Sequence, residues 1–152
     1  MDNESKRNNG ILDRANAAIL SRDFEQAARI YKGLLKSDPQ NIELLSSLGN
    51  LYVKSGDDEK ALAYFSEIIR IDPKNVEALN SLGGIYRRLK KYDDSISVLE
   101  QAVISDESNV QSFYNLGFTF KLMGKYDDAL NCFNRVVEEN PEDVLAFNHI
   151  GS

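Results

Sequence analysis

Apolar residues along this chain recur at helical spacing, in paired runs separated by short polar turns. The clearest pair spans 113–141. Phe113, Leu116, Gly117 and Phe120 share one helix face, Ala129, Leu130, Phe133, Val136 and Val137 share the next, and Pro141 stops it. The same order precedes it twice. Leu79, Leu82, Gly83 and Tyr86 lead to Ser95, Ile96, Leu99, Ala102 and Val103, while Leu45, Leu48, Gly49 and Tyr52 lead to Ala61, Leu62, Phe65, Ile68 and Ile69. A looser copy places Ile11, Ala15, Ala18 and Ile19 before Ala27, Ala28, Tyr31, Leu34 and Leu35, and a last one opens near Val144. Gly49, Gly83, Gly117 and Gly151 follow one another at intervals of thirty-four residues. A fixed interval repeated this often predicts stacked helix pairs sharing a continuous core.

The turn residues agree with that reading. Asp23 and Asp57 or Asp58 are placed to cap second helices, and Asp38-Pro39 and Asp72-Pro73 to end them. Glu107 stands where the other junctions have proline, leaving Asp106, Ser108 and Asn109 as stop signals. The pattern predicts a frayed tail over 1–9 and a single array over 10–152, with units at about 8–41, 42–75, 76–109 and 110–143 and a partial unit at 144–152. Small residues in the first helices (Ala15, Gly49, Gly83, Gly117) are expected to face small ones in the second (Ala27, Ala61, Ser95, Ala129). Tyr31, Phe65, Leu99 and Phe133 would then fill the space between one pair and the next.

The pattern L-x-x-L-G-x-x-Y, then A, F and P, resembles the tetratricopeptide repeat (TPR). Its best copies are Leu45-Leu48-Gly49-Tyr52-Ala61-Phe65-Pro73 and Phe113-Leu116-Gly117-Phe120-Ala129-Phe133-Pro141. The first unit departs most, with Arg14 and Ala15 in place of Leu-Gly. The resemblance implies an all-α fold, a right-handed α-solenoid of antiparallel helix pairs. It also implies a non-catalytic scaffold that binds a peptide or partner helix in a concave groove lined by the first helices.

Placed on that architecture, the groove candidates are Asn16, Ser46, Asn50, Asn80, Ser81, Arg87, Tyr114, Asn115, Phe118 and Lys121. Amide side chains both donate and accept, so they suit a peptide backbone; Tyr114 and Phe118 would add an apolar foothold. Two binding modes of the family fit poorly. A carboxylate clamp would fall on Leu12, Asn16, Ser47, Glu77 and Ser81, or one unit later on Ser46, Asn50, Ser81, Gln111 and Asn115, and neither set holds a cation. An asparagine ladder would fall on Ser47, Ser81, Asn115 and His149, with one match. Glu43 and Glu77 open their helices while Lys54, Arg87, Arg88 and Lys121 close theirs, an arrangement the helix dipole favours by itself.

Composition narrows the function classes. A net charge of -6 disfavours nucleic acid and anionic lipid as partners. No stretch approaches the roughly 20 apolar residues of a membrane span. One cysteine among 152 residues excludes an internal disulfide and fits a reducing, cytoplasmic setting. Cys132 sits beside Phe133 in a column shared with Ile30, Tyr64 and Val98, which assigns it to packing. His149 has no second ligand type near it in sequence, so no metal or other cofactor is expected. The pairs Asp57-Asp58, Asp93-Asp94 and Asp127-Asp128 recur at helix starts, where capping and the dipole account for them.

The fifth unit is short. Leu145, Phe147 and Ile150 could cover only part of the preceding helix, which suggests either a fragment of a longer, even enzymatic or glycosyltransferase-like, protein or a homodimer through this end.

Overall fold

The computed structural model describes residues 3–142. Leu145, Phe147, His149 and Ile150 lie outside the described residues. Eight helices follow in order: α1 (Asn3–Leu20), α2 (Phe24–Ser37), α3 (Ile42–Ser55), α4 (Asp58–Ile71), α5 (Val76–Arg88), α6 (Tyr92–Ser105), α7 (Val110–Leu122) and α8 (Tyr126–Glu139). They form two compact units, Met1–Ile71 with α1–α4 and Asp72–Ser152 with α5–α8.

Helix α1 starts at Asn3, so residues 3–9 are helical where a frayed tail was expected. The stretch contains no proline, and Glu4 lies in the first turn, where the dipole favours an acid. Once the amphipathic segment beyond Gly10 is helical, each further residue adds a hydrogen bond without repeating the cost of nucleation.

Within each pair the turn is built identically. Arg22, Gly56, Lys90 and Gly124 take positive φ values of 62°, 84°, 60° and 75°. The next amide donates back to the first helix: Asp23 to Ala18, Asp57 to Tyr52, Lys91 to Tyr86 and Lys125 to Phe120, at 2.8–2.9 Å. This is the left-handed helix terminator whose long-range bond satisfies an otherwise unpaired carbonyl.

Asparagine closes the junctions between pairs. Asn41, Asn75 and Asn109 are N-caps, accepting from the amides of Leu44, Ala78 and Ser112 at 3.0, 2.9 and 2.9 Å. Asp38 and Asp72 accept from the Asn41 and Asn75 side chains, while Asp106 takes the Ser108 amide and hydroxyl. Arg135 donates to the Glu107 carbonyl, tying α8 to the junction that lacks proline.

Capping explains only some of the acidic pairs. Asp23 and Asp57 accept from Gln26 and Lys60 amides, but the N-cap positions of α6 and α8 are Lys91 and Lys125, which make no side-chain cap bond. Asp93, Asp94, Asp127 and Asp128 occupy first turns instead, where the dipole alone favours them.

The small-residue columns also differ from expectation. A Cβ on Gly49 would meet the Phe65 ring at 2.6 Å, and one on Gly83 would meet Leu99 at 2.5 Å. At Gly117 the neighbours are Cys132 and Phe133, both at 3.0 Å. Each glycine therefore makes room for the large residue of its own pair rather than only for a small one. Ala15, Ala27, Ala61 and Ser95 are fully buried beside these crossings.

Candidate functional site

In the second unit α5 and α7 lie side by side. A cleft of about 450 Å³ opens there between Val76, Glu77, Asn80, Ser81, Asn109, Gln111 and Asn115. Asn80 and Asn115, read from sequence as amides open to a ligand, are joined to each other. The Asn115 amide nitrogen donates to Asn80 Oδ1 at 3.4 Å, and Asn80 donates to Ser112 Oγ at 2.9 Å. Gln111 donates to Asn115 Oδ1 at 3.2 Å. A carboxamide has two N–H groups and an oxygen with two lone pairs. In these bonds Asn80 and Asn115 each use one N–H and accept once, so one N–H and one lone pair of each amide are not used by them.

Arg87 is half-buried rather than a free rim charge. Its Nη1 donates to the Asn115 carbonyl at 3.3 Å and to Thr119 Oγ1 at 3.4 Å, and its guanidinium lies 4.9 Å from the centre of the Phe118 ring. Burial pushes its pKa below the ordinary arginine range, and neighbouring Arg88 adds to this while Tyr114 opposes it. Phe118 stacks on Tyr114 with ring centres 6.5 Å apart, and Tyr114 meets Phe133 edge-on at 5.9 Å. The aromatic foothold thus exists, but it is continuous with the core and partly covered by a cation.

Three buried polar residues support this face, and sequence reasoning did not single them out for it. Ser95 donates to the Gly83 carbonyl at 2.8 Å and lies 3.2 Å from Thr119 Oγ1, which bonds the Asn115 carbonyl at 3.0 Å. Ser112, between Asn109 and Asn80, is equally inaccessible. Thr119 occupies the column of Leu51 and Ile85, and Ser112 that of Leu44 and Ala78. A hydroxyl in an apolar column was the available signal.

The remaining candidates are scattered. Ser81 lines the same cleft, Lys121 is half-buried near the end of α7, and Ser46 is half-buried in the first unit. Asn16 and Asn50 are exposed. A cleft of about 400 Å³ in the first unit lies between α1, α2 and α3, lined by Glu4, Leu12, Asp38, Glu43 and Ser47 among others. Burial raises the Cys132 thiol pKa to about 11, with Asp128 and Glu100 adding to the shift, so the sulfur is protonated at neutral pH. Among the described residues no group of three His, Cys, Asp or Glu side chains is placed to hold a metal, and no helix is long and apolar enough to cross a membrane.

Models of the tetratricopeptide repeat match residues 18–83, 78–111 and 110–143. The chain belongs to the tetratricopeptide repeat family, and its fold class is the all-α solenoid of helix pairs. A crystal structure of MamA protein is 26% identical, with a TM-score of 0.84 over 97% of this chain and 80% of that one. The first TPR of Spaghetti (RPAP3), solved bound to HSP90 peptide SRMEEVD, is 26% identical, with a TM-score of 0.70 over 74% of this chain and 91% of that one. YrrB, described as a TPR protein with an unusual peptide-binding site, is 20% identical, with a TM-score of 0.81 over 97% and 76%, and supports the fold alone. No curated protein matches the chain in sequence.

Proposed function

We propose that this protein is a non-catalytic interaction module whose second unit holds an extended peptide along α5 and α7. The observation that carries the reading is the cleft whose paired amides, Asn80 and Asn115, retain unused donors and acceptors. An amide already fixed by one set of bonds loses less side-chain freedom when a peptide occupies the other. The 26% identical RPAP3 repeat, solved with a bound peptide, supports the same class of partner. The family's carboxylate-clamp positions carry no cation here, so the grip falls on the peptide backbone.

The test begins with selection of binders from a random 12-residue peptide library displayed against the whole chain. A selected peptide is then titrated into isotope-labelled protein. Side-chain amide resonances of Asn80, Gln111 and Asn115 are expected to shift together and to saturate. Saturating shifts confined to other surfaces, or failure to select any peptide, would refute the assignment.

A further inference from the structure

We propose, building on the peptide-binding reading above, that Arg87 lying on the Phe118 ring is the docking point for an aspartate or glutamate side chain of the bound peptide. The argument starts from what Arg87 lacks. A guanidinium offers five N–H donors in a planar fork that matches a carboxylate. Among the described residues its hydrogen bonds all leave from Nη1, both are long, and both acceptors are neutral. Among the described residues no Asp or Glu pairs with it. By contrast, Arg29, Lys60, Arg70 and Arg135 each reach a carboxylate three or four residues away in sequence.

The helix dipole does not account for this placement. It favours a cation in the last turn of α5, but a solvated one would satisfy it equally well. Arg87 instead lies over Phe118 and against the α7 backbone, where loss of water makes the charge costly. A half-desolvated cation without a counterion is an incomplete ion pair. Stacking on the ring also holds the fork in one plane, so little freedom is lost when a carboxylate arrives. The positions where the family clamp would fall are elsewhere, and the counterparts of Arg87 in the neighbouring repeats are Val53 and Lys121.

The geometry also sets a spacing. Arg87 stands seven residues beyond Asn80 on α5, about 10 Å at roughly 1.5 Å per residue. That matches about three residues of extended chain at roughly 3.3 Å each. The peptide's acid should therefore lie about three residues from the segment held by Asn80 and Asn115.

The experiment uses carboxy-terminally amidated 12-residue peptides selected on the whole chain, so that only side chains can supply a carboxylate. Selected peptides should share one acidic position. Its change to the amide (Asp→Asn or Glu→Gln) should weaken binding roughly 10- to 100-fold, the range for a charge-assisted bond. On an Arg87→Met variant the acidic and amide peptides should bind alike, and Arg87→Lys should recover part of the difference. The peptide substitution is read on the unaltered protein, so a poorly folded variant would not obscure it. If amidated peptides bind and shift the Asn80 and Asn115 amides with no acidic preference, the Arg87 assignment is overturned while the groove reading stands. If no peptide binds at that face, both fall.

Discussion

Ser95 Oγ and Thr119 Oγ1 lie 3.2 Å apart in the interior of the second unit, one on α6 and the other on α7, with both side chains fully buried. Their neighbours in the repeat pattern are alanine, leucine and isoleucine, so the pair is a polar insertion into an apolar seam. Thr119→Val removes one member and leaves Arg87 and Ser95 each with one fewer partner. A loss of about 1 kcal/mol is expected. Ser95→Ala combined with Thr119→Val should cost less than the sum of the single changes, because neither hydroxyl is then left behind. Urea unfolding of the four proteins in the cycle measures this, and strict additivity would count against the coupling.

Glycine to alanine in the first helices should be graded. The new methyl group would strike the Phe65 ring at Gly49 and Leu99 at Gly83, but only reaches close contact at Gly117. Gly49→Ala is expected to lose about 1–3 kcal/mol by overpacking. Gly117→Ala should come nearer to neutral, since alanine's better helix propensity, worth roughly 0.5–1 kcal/mol, offsets a milder clash. Equal denaturation midpoints for the two variants would contradict this difference in packing.

Lys90→Gly should stabilise the second unit. Lys90 holds a positive φ that an L-residue adopts at a cost of about 1–2 kcal/mol, while the equivalent turns at Gly56 and Gly124 avoid it. Glycine's greater freedom in the unfolded chain reduces the gain to under 1 kcal/mol. A thermal midpoint that rises by a few degrees is the expected result, and a fall would show that the Lys90 side chain has a compensating role.

The Cys132 thiol should resist alkylation at pH 8 in the folded protein and react promptly in denaturant. Its folded pKa, about 11, lies above the unfolded value, so folding favours the neutral thiol. That contribution is complete below the unfolded pKa and is lost as pH rises toward 11. Urea midpoints measured from pH 8 to 11 should therefore fall more steeply for the parent protein than for Cys132→Ala.

The helix pairs were readable because burial imposes a period. Gly49, Gly83 and Gly117 mark the same crossing in each pair, and their columns of leucine and aromatic residues are the core. The helix starts were less readable. Proline drew attention to 39 and 73, yet the recurring caps are Asn41, Asn75 and Asn109, spaced at the same interval and present in the sequence throughout. The proposed binding face was read least well. Its columns assigned Asn80, Arg87, Tyr114, Asn115 and Phe118 to two first helices, which are α5 and α7, but bonds between neighbouring helices follow from packing and have no one-dimensional period. Asn80 and Asn115 looked like two open amides because nothing along the chain shows that they face each other.

The Ser95–Thr119 pair bears on how such an array could be rearranged. Repeats at a fixed interval look like interchangeable modules that could be duplicated, deleted or shuffled. The fourth is not one of these. Moved to follow the second, it would set Thr119 against a neighbour with Ala61 in place of Ser95 and Val53 in place of Arg87. Both of those partners would be missing from a buried hydroxyl. The third and fourth repeats are therefore a matched pair, and separating them would leave Thr119 with only the Asn115 carbonyl of its own helix.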